Sequence, residues 1–378
     1  MTRLAIILSH PVQYYSPLFA CLSKEIELKV FYAFQPDPKQ QGKDGFGKAF
    51  QWDIDLLKGY EYEFLKNIAV RPSSAHYKGC DTPTIGVKLK EYRATHVVCF
   101  GWHLKMYRQA LAYSKEHKIP IGVRGDSQLD PNLAVWKKLV KRLYYPFFLN
   151  QYDAFLSVGQ RNREYLRYYG VAEEKIIFSP HAVDQEFWKF DQGKYLNTFI
   201  FVWVAKFIPK KRPLDVIEAI KLLIGDKHSV QMELQMIGSG ELLEVSKKAA
   251  EGIEQIKFLG FKNQSELRKI YAAADCLILS SNYEETWGLV VNEAFAAGLP
   301  AIVSEACGCG PDLINEYSGL IYPTADIKTL QEAMAKMIEH NSNPEFLKQR
   351  KSAIEEKNAT YSYGRNVQSF KEFLKKKV

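Results

Sequence analysis

What most limits the folds open to this chain is an alternation that runs through it twice. Short apolar runs of strand length are each followed by a stretch of helical spacing. In the first half, LAIIL (4–8) reads as a strand and the segment after Pro17 as a helix. LKVFYAF (28–34), THVVCF (95–100), IPIGV (119–123) and AFLSV (154–158) read as further strands, with helical spacing from Arg108 to Lys118. The series restarts with TFIFVWVA (198–205), a helix opened by Pro213, then VQMELQMIG (230–238), IKFLG (256–260), CLILS (276–280) and AIVS (301–304). The helix before the last of these stops at Gly298 with Pro300 beyond it. Strands alternating with helices predict parallel, doubly wound sheets with helices on both faces. Two α/β Rossmann-like domains are therefore expected, over 1–190 and 191–355. The closing 356–378 segment has helical spacing and is expected to pack back on the N-terminal domain.

A length of 378 residues suits two such domains, and 47% hydrophobic with 25% charged residues excludes a disordered, collagenous or disulfide-stapled chain. Lys plus Arg exceed Asp plus Glu by 51 − 43 = 8, which fits anionic partners without choosing among them. Of the six cysteines, Cys21, Cys99 and Cys276 lie in apolar runs. Cys307 and Cys309 are close, but no second Cys or His pair stands at zinc spacing. The opening MTRLAIILSHP has too short an apolar run for a signal peptide, and no stretch approaches the about 18–20 apolar residues that span a bilayer. A cytoplasmic protein, soluble or held at the inner face of the membrane, is expected.

The densest chemical signal is YEETWGLVVNEAFAAGLPAIVS, residues 283–304. A helix opened by Gly288 would offer the amides of Trp287, Gly288 and Leu289 to a phosphate. Glu285 precedes that helix and Glu293 lies roughly 7–8 Å further along its axis. One carboxylate can then sit beside an anion and the other further along, suited to vicinal hydroxyls of a sugar and a ribose. The plain alternative is a surface helix with two solvated acids.

ETWGLVVNE, Glu285 to Glu293, resembles the E-x(7)-E motif of glycosyltransferase family 4, retaining enzymes with the GT-B fold. Other segments are similar to that family in the same order. VAKFIPKKRPLDVIEAI (204–220) resembles its G-R-x-x-x-x-K-G segment, MIGSGELLE (236–244) its G-x-G loop, and IKFLGFKNQSELRKIYAAADCLILSS (256–281) its base-binding stretch. GCGPDLI (308–314) follows at the family's Gly-rich turn, and SVGQRNREYLRYYGVAEEKIIFSPHAVDQEFW (157–188) resembles the end of its first domain. The resemblance is specific over roughly 157–330 and generic before that. It implies two Rossmann-like domains facing a central cleft, and transfer of a sugar from a nucleotide-sugar to a hydroxyl acceptor with retention.

By that resemblance Lys206 and Lys211 would hold the donor diphosphate and stabilise it as it leaves, in place of a metal. Lys206 stands where the family has Arg, and so gives up a bidentate contact. Glu293 would bind the ribose, Glu285 with the 287–289 amides the sugar and diphosphate, and Phe261 and Lys262 would lie near the base. Gly238 and Gly240 lack the third glycine of a dinucleotide fingerprint. Lys210, Lys211 and Arg212 can also be read as a solvated basic turn.

The first domain departs from the family pattern. Where many members have a Gly-Gly turn after the first strand, this chain has SHPVQYYSPLF, with His10 and Gln13 as cleft candidates, although His10 can equally be read as a satisfied turn histidine. Where many have a His near the transferred sugar, Asp126 stands here, flanked by Arg124 and Ser127. Asp126 could hydrogen-bond the sugar, or be a turn residue. Arg124 and, past a strand end, Trp102 and His103 are further cleft candidates.

Two other features compete for attention. Asp53-Ile-Asp55 has the D-x-D form of metal-dependent transferases but no apolar strand leading into it, so a structural or acceptor-loop role is expected. In 132–149, Leu133, Trp136, Val140 and Leu143 share a helical face opposite Lys137, Lys138, Lys141 and Arg142. Such a helix can lie on an anionic membrane or turn its apolar face into the domain. Both readings stay open.

The expected activity is a retaining hexosyltransferase-type reaction in bacterial surface polysaccharide or glycolipid synthesis. The donor is a nucleotide-sugar, with UDP the commonest base choice, and no cofactor or metal. The acceptor is a glycan or lipid-linked sugar, and no nucleic-acid partner is expected. The alternatives are a nucleotide-sugar 2-epimerase and a nucleotide-sugar-binding regulator without catalysis.

Overall fold

The computed structural model describes residues 2–35, 52–190, 198–225 and 231–376. The chain forms two compact units: the described part of the first comprises 2–35, 54–181 and 362–376, and of the second 52–53, 182–190, 198–225 and 231–361. The divisions fall after His181 and Tyr361 rather than at 190 and 355. Side-chain anchoring explains the shift. Gln185 Nε2 donates to the Asn358 carbonyl (2.6 Å), the Trp188 ring packs 5.6 Å from Tyr271, and Asn358 Nδ2 donates to the Phe295 carbonyl (2.8 Å), so both flanking segments belong to the second unit.

The first unit is built on β1 (Leu4–Leu8), β2 (Leu28–Tyr32), β3 (Glu61–Phe64), β4 (His96–Cys99), β5 (Ile121–Gly125), β6 (Ala154–Ser157) and β7 (Ile176–Phe178). Their order is β3-β2-β1-β4-β5-β6-β7 and every pairing is parallel. Strand β1 is buried at all five positions because helices cover both faces, and its side chains divide with the period of two that a strand imposes. Ala5 and Ile7 enter one apolar core with Val97, Cys99 and Phe155, while Leu4, Ile6 and Leu8 enter the other with Val98 and Leu156.

The second core is completed by the last helix, Tyr363–Phe373, whose Phe370 and Phe373 are fully buried in it. Ser362 caps this helix by accepting from the Arg365 amide at 3.3 Å. Asn366 adds a polar tie, donating to the Pro180 carbonyl at 3.0 Å.

The second unit repeats the plan with β8 (Phe199–Val204), β9 (Met232–Ile237), β10 (Ile256–Gly260), β11 (Cys276–Leu279), β12 (Ala301–Ser304) and β13 (Gly319–Tyr322), ordered β10-β9-β8-β11-β12-β13, all parallel. Phe199, Phe201 and Trp203 point to one core face, with Ile217, Ile220, Leu234 and Ile278. Strands β3, β7 and β13 were not anticipated. Each is three or four residues at a sheet edge, too short to show a period, and β3 (EYEF) is half charged and stabilised by Lys29 to Glu61 (3.1 Å) and Glu63 (3.0 Å).

Replacing Phe373 by Ala empties a buried ring site in the first unit and is expected to cost about 3–5 kcal/mol. Urea unfolding followed by circular dichroism should show that unit melting out earlier, with the second unit's transition unmoved.

Candidate functional site

In the second unit the strand order reverses between β8 and β11, the point at which open α/β sheets bind ligands beyond their strand C-termini. The loops leaving these two strands are tied together. The buried Trp203 indole donates to Ser280 Oγ (3.0 Å), the Ser280 hydroxyl donates to the Lys211 carbonyl (2.7 Å), and the Asn282 amide donates to the Lys210 carbonyl (2.9 Å). The result brings two predicted residues into direct contact: Lys211 Nζ donates to a carboxylate oxygen of Glu285. Ser281 Oγ donates to the same oxygen (2.9 Å), and Lys210 Nζ stands 4.0 Å from the other. Burial works to raise the Glu285 carboxyl, but the charges of Lys211 and Lys210 and the bonds from Lys211 and Ser281 hold it below the usual range. Glu285 is thus an anion locked between cations at a strand end.

The turns around this pair need glycine. Gly238 sits at φ +142°, and a Cβ there would lie 1.9 Å from the Ala205 carbonyl oxygen, so the G-x-G loop closes directly on the Ala205–Lys206 segment. Lys206 is half-buried in that segment, its carbonyl accepting from the Ile208 amide at 2.9 Å. The Cys-Gly-Cys turn supports the glutamate loop from beneath, with Gly308 N donating to the Glu285 carbonyl (3.0 Å) and Cys309 N to the Trp287 carbonyl (3.0 Å). Cys307 and Cys309 are buried and joined in no disulfide.

Helix Val290–Ala296 begins two positions after Gly288 and has seven residues, so the helix dipole expected at Gly288 is short. Among the described residues, the amides of Gly288 and Leu289 still donate to no backbone acceptor. The Trp287 side chain is core rather than site: it is buried, and its indole donates to Asn292 Oδ1 at 2.7 Å.

Glu293 has its own neighbour. Tyr271 donates its hydroxyl to Glu293 Oε2 (3.2 Å), and burial raises the Glu293 carboxyl from 4.5 to about 8 against the lowering effect of that bond. A carboxyl raised in this direction favours the protonated form, which can both donate to and accept from a diol. Phe261 and Lys262 are half-buried after β10, with Lys262 paired to Glu266 at 2.9 Å. Asp53 accepts from the Ser265 amide (3.0 Å) and its hydroxyl in the first turn of helix Gln264–Ala273. Asp53 is a helix-end partner here, and Asp55 accepts from the Leu57 amide (3.0 Å), both structural roles for the D-x-D pattern.

The first unit has its own reversal, between β1 and β4. His10, after β1, bonds Ser9 Oγ through Nδ1 (2.9 Å) and stacks on Phe34; Gln13 is half-buried in the turn before helix Ser16–Leu22. Two candidates prove to be framework. Arg124 is buried, and its guanidinium donates to the Ser179 carbonyl, Ser179 Oγ (2.9 Å) and the Pro180 carbonyl (2.9 Å). Trp102 is buried against Gly125, stacking near Tyr165. His103 is exposed and bonds the Ser74 carbonyl (3.0 Å).

Asp126 has a half-exposed side chain, 3.9 Å from Nε2 of the buried His181. Burial lowers the His181 imidazole, opposed by the bond to Asp126. Tyr14 and Tyr15 complete this cluster, their rings 6.1 and 6.3 Å from His181. His181, Tyr14 and Tyr15 escaped the sequence reading. The only available signals were the S-P-H-A-V-D turn and the paired tyrosines, and neither says that they meet.

Two parallel Rossmann-like sheets with loops gathered at their switch points define a GT-B fold. Solved structures agree over nearly the whole chain. The lipopolysaccharide outer core galactosyltransferase WaaB superposes with TM-score 0.69 at 18% identity, covering 99% of each chain. Anabaena Alr3699/HepE in complex with UDP gives 0.74 at 15% identity, also with 99% of each chain.

In sequence, residues 184–358 match the family described as glycosyl transferases group 1. An Escherichia coli UDP-Gal:alpha-D-GlcNAc-diphosphoundecaprenol alpha-1,3-galactosyltransferase is 30% identical over 149 residues, 38% of each protein. The alpha-galactosylglucosyldiacylglycerol synthase of Streptococcus pneumoniae is 24% identical over 299 residues, 75% of this chain and 76% of that protein. The match thus spans well under half of the E. coli relative and about three quarters of the pneumococcal one.

Two outcomes test this geometry. A glutamate whose carboxyl rises from 4.5 unfolded to about 8 folded makes the native state hold the extra proton, so stability falls as pH rises between those values. Glu293→Gln should therefore melt above the parent protein at pH 8.5, with the difference vanishing toward pH 4 in a thermal-shift series. Gly238→Ala forces a Cβ into the Ala205 carbonyl and should destabilise by about 2 kcal/mol or more, read from denaturant midpoints.

Proposed function

We propose that this protein is a retaining glycosyltransferase whose nucleotide-sugar donor binds at the Lys211–Glu285 pair of the second unit. The observation that carries the reading is that pair itself, at the switch point and inside the segment that matches the glycosyl transferases group 1 family. Cations beside open backbone amides suit a diphosphate, and a fixed carboxylate beside them suits a sugar hydroxyl. The E-x(7)-E resemblance supports the family 4 assignment and retention. The neighbour that holds UDP supports a UDP-sugar, and the lipid-linked substrate named for the E. coli relative supports a hydroxyl on a lipid-linked sugar as acceptor.

In the proposed reaction the acceptor hydroxyl oxygen bonds to the anomeric carbon on the face from which the diphosphate departs. The bond from that carbon to phosphate oxygen breaks, and the departing phosphate takes the acceptor proton. Lys206, Lys211 and the Gly288 and Leu289 amides stabilise the leaving charge. Glu285 orients the sugar, and protonated Glu293 bonds the ribose diol.

Isothermal titration should show UDP binding with and without EDTA, lost in Lys211→Ala and weakened in Glu293→Ala. With a UDP-sugar and a lipid-linked acceptor, Lys211→Ala should lower kcat by about 10²–10³-fold. Binding without any transfer or donor hydrolysis would point to a regulator and overturn the enzymatic reading. Acceptor-free formation of an epimer would replace transfer with 2-epimerisation.

A further inference from the structure

Helix Val135–Leu149 in the first unit is inverted relative to an ordinary surface helix. Such helices turn their apolar stripe to the core. Here Phe148 and Leu149 alone are buried, and Tyr145 and Lys141 lie half-buried beside them. The packed side is fixed by cation–ring contacts: Arg108 lies 3.3 Å above the Phe148 ring, and Lys141 sits 5.6 Å from Tyr145 and 5.9 Å from Tyr165.

The apolar residues point outward. Val135, Trp136, Leu139, Val140, Leu143 and Phe147 are all exposed, with Leu143 at 74% and Phe147 at 81%. At 3.6 residues per turn these six fall within an arc of about 140°. The same wheel sets Lys137 beyond one edge of that arc and Arg142 beyond the other, with Lys138 further round toward the packed side. The reading in which this apolar face turns into the domain is therefore excluded. Water gains nothing from six large apolar side chains on one face, and contiguous exposure on this scale marks an interaction surface.

We infer that this face seats on a bilayer bearing anionic lipid. The charges decide the occupant. A protein partner's apolar groove would be served by the apolar arc alone, whereas cations at both margins of an outward apolar arc, with a tryptophan in it, match a helix lying in the plane of the headgroups. The apolar side chains enter the acyl boundary, and Lys137 and Arg142 reach lipid phosphates on either side. Among the described residues no helix is long and apolar enough to cross a membrane, so attachment here is peripheral. The inference stands apart from the glycosyltransferase reading, because it uses neither the donor site nor turnover.

Flotation of the full chain with vesicles tests it, in the absence of nucleotide. The protein should float with phosphatidylcholine vesicles containing about 30% phosphatidylglycerol and largely stay behind with phosphatidylcholine alone, losing attachment as salt rises. Leu143→Glu with Phe147→Glu should weaken flotation about tenfold or more while leaving the melting temperature unchanged, since both side chains are already in water. Brominated lipids should quench tryptophan emission, and Trp136→Phe should remove most of that quenching. Failure to float on anionic vesicles overturns the inference, and equal flotation on neutral vesicles overturns its charge basis. Concentration-dependent self-association in ultracentrifugation, abolished by the glutamate pair and unaccompanied by flotation, would assign the face to a second copy of the chain.

Discussion

The molecule depends on the way parallel strands end. A parallel sheet buried on both faces must send each strand into a helix, so all its connecting loops of one kind gather beyond the strand C-termini. Where the order reverses, the loops on either side run apart and leave room between them. Each unit here has one such reversal, β1 against β4 and β8 against β11. Lys206, Lys211, Glu285 and Asp126 lie in the loops behind strand ends, where the apolar strands place them, and Glu293 follows in the helix that leaves the β11 loop.

Charge is then handled differently in the two units. In the second, Glu285 is buried yet kept anionic because Lys211, Lys210 and Ser281 face it, whereas Glu293, which among the described residues accepts from the Tyr271 hydroxyl, is driven by burial toward the protonated form. Two glutamates eight positions apart thus acquire opposite protonation habits from their surroundings alone. In the first unit the buried cation is Arg124, stabilised by the Ser179 and Pro180 carbonyls and two ring faces. Its role is to brace the turn that carries His181 toward Asp126.

The basic amphipathic helix obeys the same accounting of water and charge with the opposite result. Its packed side is narrow and largely aromatic, held by cations lying on rings, which leaves the broader apolar arc outside. Burying the stem of Lys141 between Tyr145 and Tyr165 lowers its ammonium group and uses a lysine as packing material, a role that charge patterning would not assign.

Much of this was legible in the sequence because it is periodic or tied to fixed spacing. The central strands appear as uninterrupted apolar runs, and LAIIL and IKFLG match β1 and β10 to the residue. Lys211 and Glu285 were named from the resemblance to the glycosyltransferase family, and the structure joins them. What the sequence could not carry were contacts between segments far apart in the chain. The edge strands β3, β7 and β13 exist only because a neighbour offers a hydrogen-bonding edge. Arg124 and Trp102 looked like open polar and aromatic groups, yet Ser179, Pro180 and Tyr165 cover them. His181 met Asp126 only when the chain closed a loop of more than fifty residues, and which face of the Val135–Leu149 helix met the core was decided by Arg108 and Tyr165. Local pattern determined the elements and the two-unit plan; contacts between segments distant in sequence joined Lys211 to Glu285, and burial decided which of the candidate residues face solvent and in what charge state.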